Sequence, residues 1–534
     1  MADSILIRGG TIVDGSLSEP FIGDVLIEGD KITAIWKAGI PARAPHCPVA
    51  PSTVIDATGR LVCPGFIDAH THSDAYLVIE PDAPSKISQG ITTEINGQCG
   101  GSVAPRYGEA RLSSDWASLL GDKLTWHSLG EYRTVLEDAR PAVNTVQFIG
   151  HNTLRSSVVG YAGRAATADE QAKMEYLLDE ALDEGGWGLT TGLIYQPGKY
   201  STPEEVTRLA RVAARRGGIY ATHMRSEGDH ILEAIDEVID LARATGIKAE
   251  ISHLKTSGKN NWDKLTQVLE KIEGAMAEGL LLGSDRYPYC ASGTDLDVVF
   301  PDWAGEGAAK AEIERLKDPV IRQKIIDEID AQPRDWSTVM IGGTWHPATK
   351  QFSGRLVSDL VGADPRAART PGDLICHILS LDLCRTGAFF FVMSESNLDK
   401  ILARPWIVPG SDASLRAPWG PLGLDHPHPR AYATMPEFLR RAKGTGTSVP
   451  EAIRRMTALP AERFGIRNRG LIKEGDFADV LVIDEKNFAA HATYSNPHQF
   501  TTGVDYAFVN GVLTWHNGAL TGSRAGRFLE PSRP

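Results

Sequence analysis

The sequence has few cysteines and lacks long apolar runs. Six cysteines are scattered through 534 residues and none forms a CxxC pair, so a disulfide framework is excluded and reduced thiols are expected. No uncharged apolar run reaches the roughly 18 residues that a membrane helix needs. The N-terminal segment also lacks the basic start and apolar core of a signal peptide. These absences favour a cytoplasmic location.

Positive charge is scarce relative to negative charge. Lys and Arg total 55, Asp and Glu total 68, and the formal net charge is −13, without a block of like charge. A nucleic-acid-binding protein usually carries a basic patch or stripe. We therefore expect neither nucleic acid nor a membrane as a partner. The sequence leaves the oligomeric state open.

Two strand-rich ends enclose a long middle section with a different pattern. Residues 1–60 and 466–534 alternate apolar and polar residues between turns, and they predict one small β-sandwich domain built from both termini. In residues 61–465, apolar runs alternate with helical segments such as DEQAKMEYLLDEALDEG and PEEVTRLARVAARRGG. Eight candidate strands end near His72, Cys99, His151, Tyr195, Arg225, Lys255, Tyr289 and Asp412.

Eight strand–helix units predict the α/β fold class, as a parallel (β/α)8 TIM barrel. The interval before the last strand is too long for one helix, and it predicts an inserted lobe at about residues 293–350. Residues 371–400 are predicted to carry a helix and an extra strand, GAFFFVM.

Candidate metal ligands follow the predicted strands. In CPGFIDAHTHSD, His70 and His72 are expected to share one face of the strand, because side chains alternate along a strand. Two structural histidines are the alternative. Later strand ends carry Cys99 in EINGQCGGS, His223 in YATHMRSE, His253 in EISHLKTSG and Asp412 in WIVPGSDAS. Nitrogen, sulfur and oxygen donors suit zinc, and barrels carry catalytic residues at this end. The set predicts a zinc site.

These motifs resemble those of the amidohydrolase superfamily and, more narrowly, the D-aminoacylase (N-acyl-D-amino-acid deacylase) family. The matching segments are GFIDAHTHSD, NGQCGGSVAP, THMRSE, ISHLKTSG, YPYCASGT, GSDAS, HPHPR and the tail GLIKEGDFADVLVID with VNG. The resemblance implies a metal-bearing barrel with a β-sandwich made from both ends. It also implies one tight zinc ion on Cys99, His223 and His253, and a weaker second position at His70 and His72.

The predicted fourth strand, GWGLTTGLIY, lacks the lysine that bridges two metals in many members of the superfamily. A Cys99 thiolate can supply the bridging anion instead. The resemblance therefore favours the D-aminoacylase family over relatives with a lysine bridge.

The implied reaction is hydrolysis of the linear amide of an N-acyl-D-amino acid. Zinc lowers the pKa of bound water to about 7, and Asp412 is placed to accept a proton and return it to the leaving amine. Arg430 in HPHPR matches the family's clamp for the substrate carboxylate. Further candidates for binding the substrate are Lys255, Tyr195, Tyr289 and Ser292. Lys255 shares the face of His253 if that strand continues.

Neighbouring polar residues receive structural interpretations. His151 is expected to organise a loop, and Arg225 and Glu227 are expected to pair and orient His223. His426 and His428, in the same loop as Arg430, are expected to be solvated.

Three other functions stay open. The first is a zinc amidohydrolase of a cyclic amide, such as a hydantoinase or dihydropyrimidinase, and the missing lysine together with Cys99 and Arg430 counts against it. The second is a cysteine hydrolase with Cys99 as nucleophile, for which the strand-end histidines are surplus. The third is an inactive scaffold, which would have lost ligands. The sequence does not report the preferred side chain or acyl group, or the number of zinc ions bound.

Overall fold

Eight parallel strands close into a barrel in the computed structural model, which describes residues 4–38, 51–112, 114–362 and 368–533. The barrel strands are Phe66–Asp68, Ile91–Asn96, Asn144–Gln147 continued by Ile149–Gly150, Gly188–Gly192, Ile219–His223, Lys248–Ile251, Leu282–Arg286 and Ile407–Pro409. The ring closes because the amide of Asp412 donates to the carbonyl of His70 at 2.8 Å, and Thr71 bridges Ala413 in parallel. The predicted (β/α)8 class is confirmed.

Helices surround the barrel, and the two helices predicted from periodicity are both present. Thr167 caps the helix Ala168–Asp183 in a capping box with Glu170, and Thr202 caps the helix Pro203–Arg215. The α-helices are Tyr76–Ile79, Pro84–Ile87, Ser114–Leu120, Leu129–Ala139, His151–Val158, Ala168–Asp183, Pro203–Arg215, Ile231–Thr245, Leu265–Ala277, Asp302–Gly305, Ala308–Lys317, Pro319–Asp330, Val357–Leu360, Pro371–Asp382, Glu395–Leu402, Arg430–Gly444, Val449–Met456 and Ala458–Phe464. None of these described helices is long and apolar enough to cross a membrane.

The two terminal segments join in one nine-stranded sheet. Its strands are Ser4–Ile12, Phe21–Glu28, Lys31–Lys37, Thr53–Asp56, Leu61–Pro64, Val480–Ile483, Val504–Val509, Val512–His516 and Ala519–Leu520. The strand Leu61–Pro64 connects the halves, because it pairs in parallel with Ser4–Ile12 and antiparallel with Val480–Ile483. Buried side chains from both halves, including Ile7, Val25 and Phe508, form one hydrophobic cluster. Residues 1–3 and 39–50 of the predicted terminal domain lie outside the described residues.

A lobe with its own hydrophobic cluster lies between the seventh and eighth barrel strands. Its antiparallel sheet has the order Ser292–Asp295, Gly387–Phe390, Val339–Ile341. The cluster draws on residues from Leu296 to Phe390. The predicted extra strand in GAFFFVM and the helix before it are therefore present. The first strand of the lobe follows the seventh barrel strand by only a few residues, which places the lobe beside the barrel mouth.

Candidate active site at the barrel mouth

The barrel strands end up to four residues before the predicted side chains, and His223 is the last residue of its own strand. The first strand ends at Asp68, so His70 and His72 follow it and do not lie on its face as predicted. His70, Cys99, His253 and Asp412 each offer a ligand atom, and these atoms all lie within 4.8 Å of one another. The Cys99 sulfur is 3.3 Å from Nε2 of His70 and 3.4 Å from Nε2 of His253. Four strand ends that are distant in sequence therefore meet around one point.

His72 and His223 extend this group on opposite sides. Nε2 of His72 lies 3.0 Å from Oδ1 of Asp412. The ring of His223 lies 4.5 Å from the ring of His253, centroid to centroid. Although His223 is buried, neither of its ring nitrogens has a hydrogen-bond partner within the described part of the chain. A buried polar atom without a partner is costly, and a metal ligand is a role that fits His223.

Three members of the group have left-handed backbone conformations that side chains rarely adopt. The φ angles of Cys99, His253 and Asp412 are +51°, +38° and +50°. Each such residue costs about 1–3 kcal/mol, which a fold tolerates mainly where function requires it. The turn at each strand end directs its side chain toward the barrel axis.

The charges in the site keep Cys99 and Asp412 ionised. Burial opposes ionisation of the Cys99 thiol, but the imidazoles of His70 and His253 hold its pKa well below the usual value. Burial also opposes ionisation of Asp412, but Arg430, His253 and His72 hold its pKa well below the usual value. A thiolate beside several imidazoles is a ligand set that suits zinc.

Arg430 is bound to Asp412. Its Nη1 donates to Oδ2 of Asp412 at 2.8 Å, and its Nη2 donates to the carbonyl of Gly293 at 3.3 Å. Nε of Arg430 is buried and finds no hydrogen-bond partner among the described residues. The backbone amide of Arg430 donates to Nδ1 of His428 at 3.0 Å. The guanidinium therefore orients Asp412, and its Nε–H group has no partner among the described residues.

Lys255 reaches the site by a route that strand alternation does not explain. The barrel strand ends at Ile251, so the condition under which His253 and Lys255 would share a strand face is not met. The chain turns at His253, and Nζ of Lys255 lies 2.8 Å from Nδ1 of that histidine. Nζ also donates to Glu227, whose Oε1 is 3.0 Å from the same Nδ1.

Glu227 belongs to the site, and its expected pairing with Arg225 is wrong. Arg225 forms its ion pair with Glu237 at 2.9 Å instead. Burial opposes ionisation of Glu227, but Lys255, His223 and His253 hold its pKa well below the usual value. The sequence signal was its position four residues after His223, since a turn there brings it back over that ring.

The remaining predicted substrate residues lie at different distances from the ligand group. The ring of Tyr195 packs edge-on against His223 with a centroid distance of 4.9 Å. Ser292 begins the lobe strand whose Gly293 carbonyl accepts from Arg430. The hydroxyl of Tyr289 donates to the carbonyl of Ala433 at 3.3 Å, and the structure does not bring it to the ligands.

Tyr287 occupies the position that the sequence suggested for Tyr289. Its ring lies 4.6 Å from the guanidinium carbon of Arg430 and 6.5 Å from the ring of His253. Its hydroxyl is buried and has no hydrogen-bond partner in the part of the chain that the structure describes. Both tyrosines stand in the motif YPY, and only the turn after the seventh strand decides which one faces the site.

Asp285 is a further site residue that was not predicted. It is the penultimate residue of the seventh barrel strand and contacts both His70 and His253. Its signal in the sequence was its place at a strand end, in GSDRYPY.

The three other histidines that the sequence analysis named, His151, His426 and His428, form contacts with protein groups outside the ligand group. Nε2 of His151 lies 2.9 Å from Oε1 of Glu205, away from the ligand group, in agreement with an organising role. The expectation of a solvated His428 is wrong, because this residue is buried with Nε2 3.0 Å from the carbonyl of Ala291. His426 is partly buried, with Nε2 2.6 Å from the carbonyl of Tyr494.

Comparison with known proteins identifies the family to which the chain belongs. The model of the amidohydrolase family matches residues 53–521. The chain belongs to the amidohydrolase family. Within it, D-aminoacylase of Alcaligenes xylosoxydans xylosoxydans is 34% identical over 98% of this chain and 97% of that protein. N-acyl-D-glutamate deacylase of the same organism is 33% identical over 98% of this chain and 96% of its own length.

Solved amidohydrolase structures show the same arrangement of domains. A crystal structure of D-aminoacylase superposes with a TM-score of 0.81 at 32% identity, covering 99% of this chain and 100% of that one. The N-acyl-D-glutamate deacylase of Bordetella bronchiseptica, complexed with zinc and a phosphonate mimic of the tetrahedral intermediate, superposes with a TM-score of 0.81 at 30% identity and 99% coverage of both chains. Hydantoinases share the fold at lower similarity, with a TM-score of 0.56 and 16% identity for one from Thermus sp..

Proposed function

We propose that this amidohydrolase is zinc-dependent and cleaves the linear amide bond of N-acyl-D-amino acids into a carboxylate and a free D-amino acid. The observation that carries the proposal is the likeness over nearly the whole chain to enzymes named for this reaction. The ligand group at the barrel mouth supports it, because the cysteine and the histidines lie around one point.

Cys99, His223 and His253 are the proposed ligands of a tight zinc ion, and His70 and His72 of a second, weaker one. The unpartnered nitrogens of His223 and the ionised Cys99 fit this assignment. When bound, zinc supplies a Lewis acid that makes water a usable nucleophile near neutral pH and polarises the amide carbonyl.

Asp412 is the proposed general base and then general acid. Its low pKa keeps it ionised at neutral pH, so it can accept the proton of the attacking water. The same proton then passes to the nitrogen of the leaving amine, which departs as a neutral amino group. Arg430 holds the carboxylate of Asp412 in place at 2.8 Å.

The α-carboxylate of the substrate needs a cationic partner. Arg430 retains a free Nε donor, and Lys255 is the other cation beside the ligand group. Tyr195 and Ser292 line the same side, and Tyr289 is the predicted contact with the weakest support. Tyr287 presents a buried hydroxyl near His253 and Arg430, which suits hydrogen bonding to the substrate.

The test is release of free amino acid by the zinc-loaded protein from matched N-acetyl-D and N-acetyl-L amino acids with neutral and acidic side chains. We expect release from D substrates only, loss of release after chelation, and recovery when zinc is restored. Equal release from L substrates would refute the proposed selectivity for D substrates. Release from a hydantoin, with none from linear amides, would favour the cyclic-amide alternative.

The cytoplasm is the proposed location. The described cysteines, Cys63, Cys99, Cys290, Cys376 and Cys384, are all free thiols. A reducing compartment protects the Cys99 thiolate from oxidation, since reactive thiolates oxidise most readily.

A further inference from the structure

Asp285 is a buried carboxylate that touches two of the proposed metal ligands. It is the penultimate residue of the seventh barrel strand, Leu282–Arg286, and is 1% exposed. Its Oδ2 lies 3.1 Å from Nδ1 of His70, and its Oδ1 accepts the backbone N–H of His253 at 3.0 Å. One side chain thus joins the first barrel strand to the turn after the sixth.

The space for this carboxylate depends on a glycine in the eighth strand region. A Cβ atom at Gly410 would lie 2.7 Å from Oδ1 of Asp285 and 2.7 Å from Cβ of His70. Contacts this short do not occur in proteins without displacement of the neighbours. Gly410 therefore allows Asp285 and His70 to meet at the point where the barrel closes.

The contact with His70 determines which ring nitrogen faces the metal position. Nε2 of His70 points toward the Cys99 sulfur at 3.3 Å, while Nδ1 points toward Asp285. A histidine that binds a metal through Nε2 carries its proton on Nδ1. A carboxylate that accepts from Nδ1–H fixes both this tautomer and the orientation of the ring.

The contact with His253 acts on the backbone. His253 has a φ of +38°, a conformation that needs support from its surroundings. The bond from its N–H to Oδ1 supplies part of this support. The carboxylate oxygens therefore serve different ligands, one through the ring and the other through the main chain.

We propose that Asp285 is a positioning residue that couples the two metal positions. It orients the His70 ring at the second position and holds the His253 turn at the tight position. This inference rests on the zinc site of the proposed function. It assigns a role to a residue of the seventh barrel strand, which lies between the strands that lead to His253 and Asp412.

The substitution Asp285→Asn separates the two contacts. The amide oxygen can still accept from the N–H of His253, but the NH₂ group cannot accept from Nδ1–H of His70. We expect zinc titration against a competing chelator to show a second ion bound roughly 10- to 100-fold more weakly. The first ion should stay within about 3-fold of its original affinity.

Two further variants make the test specific. Gly410→Ala keeps the carboxylate, but its Cβ would displace both Oδ1 of Asp285, which accepts from His253, and Cβ of His70, so it should weaken both ions. Glu205→Gln is the matched control, because Glu205 is a buried carboxylate that pairs with Arg155 at 3.0 Å and contacts His151 rather than the proposed metal ligands. It should leave both zinc affinities unchanged.

The outcomes distinguish this inference from the proposed function. Zinc binding is measured without substrate. If the protein binds zinc normally but hydrolyses no N-acyl-D-amino acid, the proposed substrate is refuted and the role of Asp285 is not. Wild-type affinity for two zinc ions in folded Asp285→Asn would overturn the role of Asp285. If this variant does not fold, wild-type zinc affinities in Gly410→Ala would overturn it as well.

Discussion

Both carboxylate oxygens of Asp412 contact other residues of the site. One oxygen faces His72 and the other is held by Arg430. The left-handed backbone, with φ of +50°, projects the side chain over the ligand group. Because the carboxylate is already oriented and ionised, proton transfer requires little rearrangement of the protein.

The substitution Asp412→Asn should therefore lower kcat far more than it changes KM. General acid–base catalysis contributes roughly 10²–10⁴-fold to rates, and an amide cannot accept the proton. Steady-state kinetics with an N-acetyl-D-amino acid measures the effect. Asp240→Asn, an exposed carboxylate paired with Arg243, is the control. A kcat in Asp412→Asn equal to that of the control would contradict the role of Asp412.

At the scale of elements, a short helix anchors the ends of three barrel strands. Lys86, in the helix Pro84–Ile87, is fully buried. Its Nζ lies 3.1 Å from Asp68, 3.0 Å from Glu94 and 3.1 Å from Ser411. These partners belong to the first two strands and to the segment after the last one. The ammonium thus joins the strands where the barrel closes, directly beneath His70 and Asp412.

The substitution Lys86→Met should destabilise the protein by about 3–5 kcal/mol, because it leaves two buried carboxylates without their cation. Urea unfolding monitored by circular dichroism measures the change. Lys271→Met removes an ion pair with the half-exposed Asp236, and it should cost at most about 1 kcal/mol. Similar losses in the two variants would show that the buried network does not stabilise the barrel.

The lobe contains a buried glutamate, Glu312, and a partly buried aspartate, Asp297, both with raised pKa values. Burial raises the pKa of Glu312 to about 7, and burial together with the Glu312 charge raises that of Asp297 well above its usual value. The folded lobe therefore binds a proton that the unfolded chain releases near the usual glutamate pKa of 4.5. The contribution of Glu312 to stability is intact below that pH and declines as pH rises toward 7.

The substitution Glu312→Gln should remove this decline. The difference between the unfolding temperature of the variant and that of the unsubstituted protein should increase from pH 5 to pH 8. The reason is that glutamine, unlike glutamate, carries no charge to bury at the higher pH. Thermal unfolding across this pH range gives the comparison. A constant difference between the two proteins would show that Glu312 ionises in the folded lobe as it does in the unfolded chain.

At the scale of the whole molecule, the sequence predicts the barrel because its signals are local. Periodicity marks the helices, and His70, Cys99, His223, His253 and Asp412 all follow apolar runs at the ends of strands. The carboxyl ends of parallel strands meet at one face, so these residues had to converge. The domain boundaries near residues 60 and 466 and the individual roles of the site residues stay predictions.

The contacts of the site were not predictable in the same way. Glu227 and Tyr287 follow the ends of their strands, where the backbone has left the sheet, whereas Asp285 lies within the seventh strand. Strand alternation therefore does not account for the position of Lys255, and the sequence alone does not decide which tyrosine in YPY faces the site. Single-residue turns such as that at His253, with φ of +38°, decide these contacts, and their effect depends on strands hundreds of residues away.

The sheet that joins the two terminal segments has a consequence for synthesis. The strand Leu61–Pro64 pairs with Val480–Ile483, and a ribosome adds about 5–20 residues per second, so the second strand arrives roughly 20–80 s after the first. Until then the edge of Leu61–Pro64 is open, and open edges invite pairing with other chains. The yield of active protein should therefore depend on translation speed and on chaperones that shield this edge on the nascent chain.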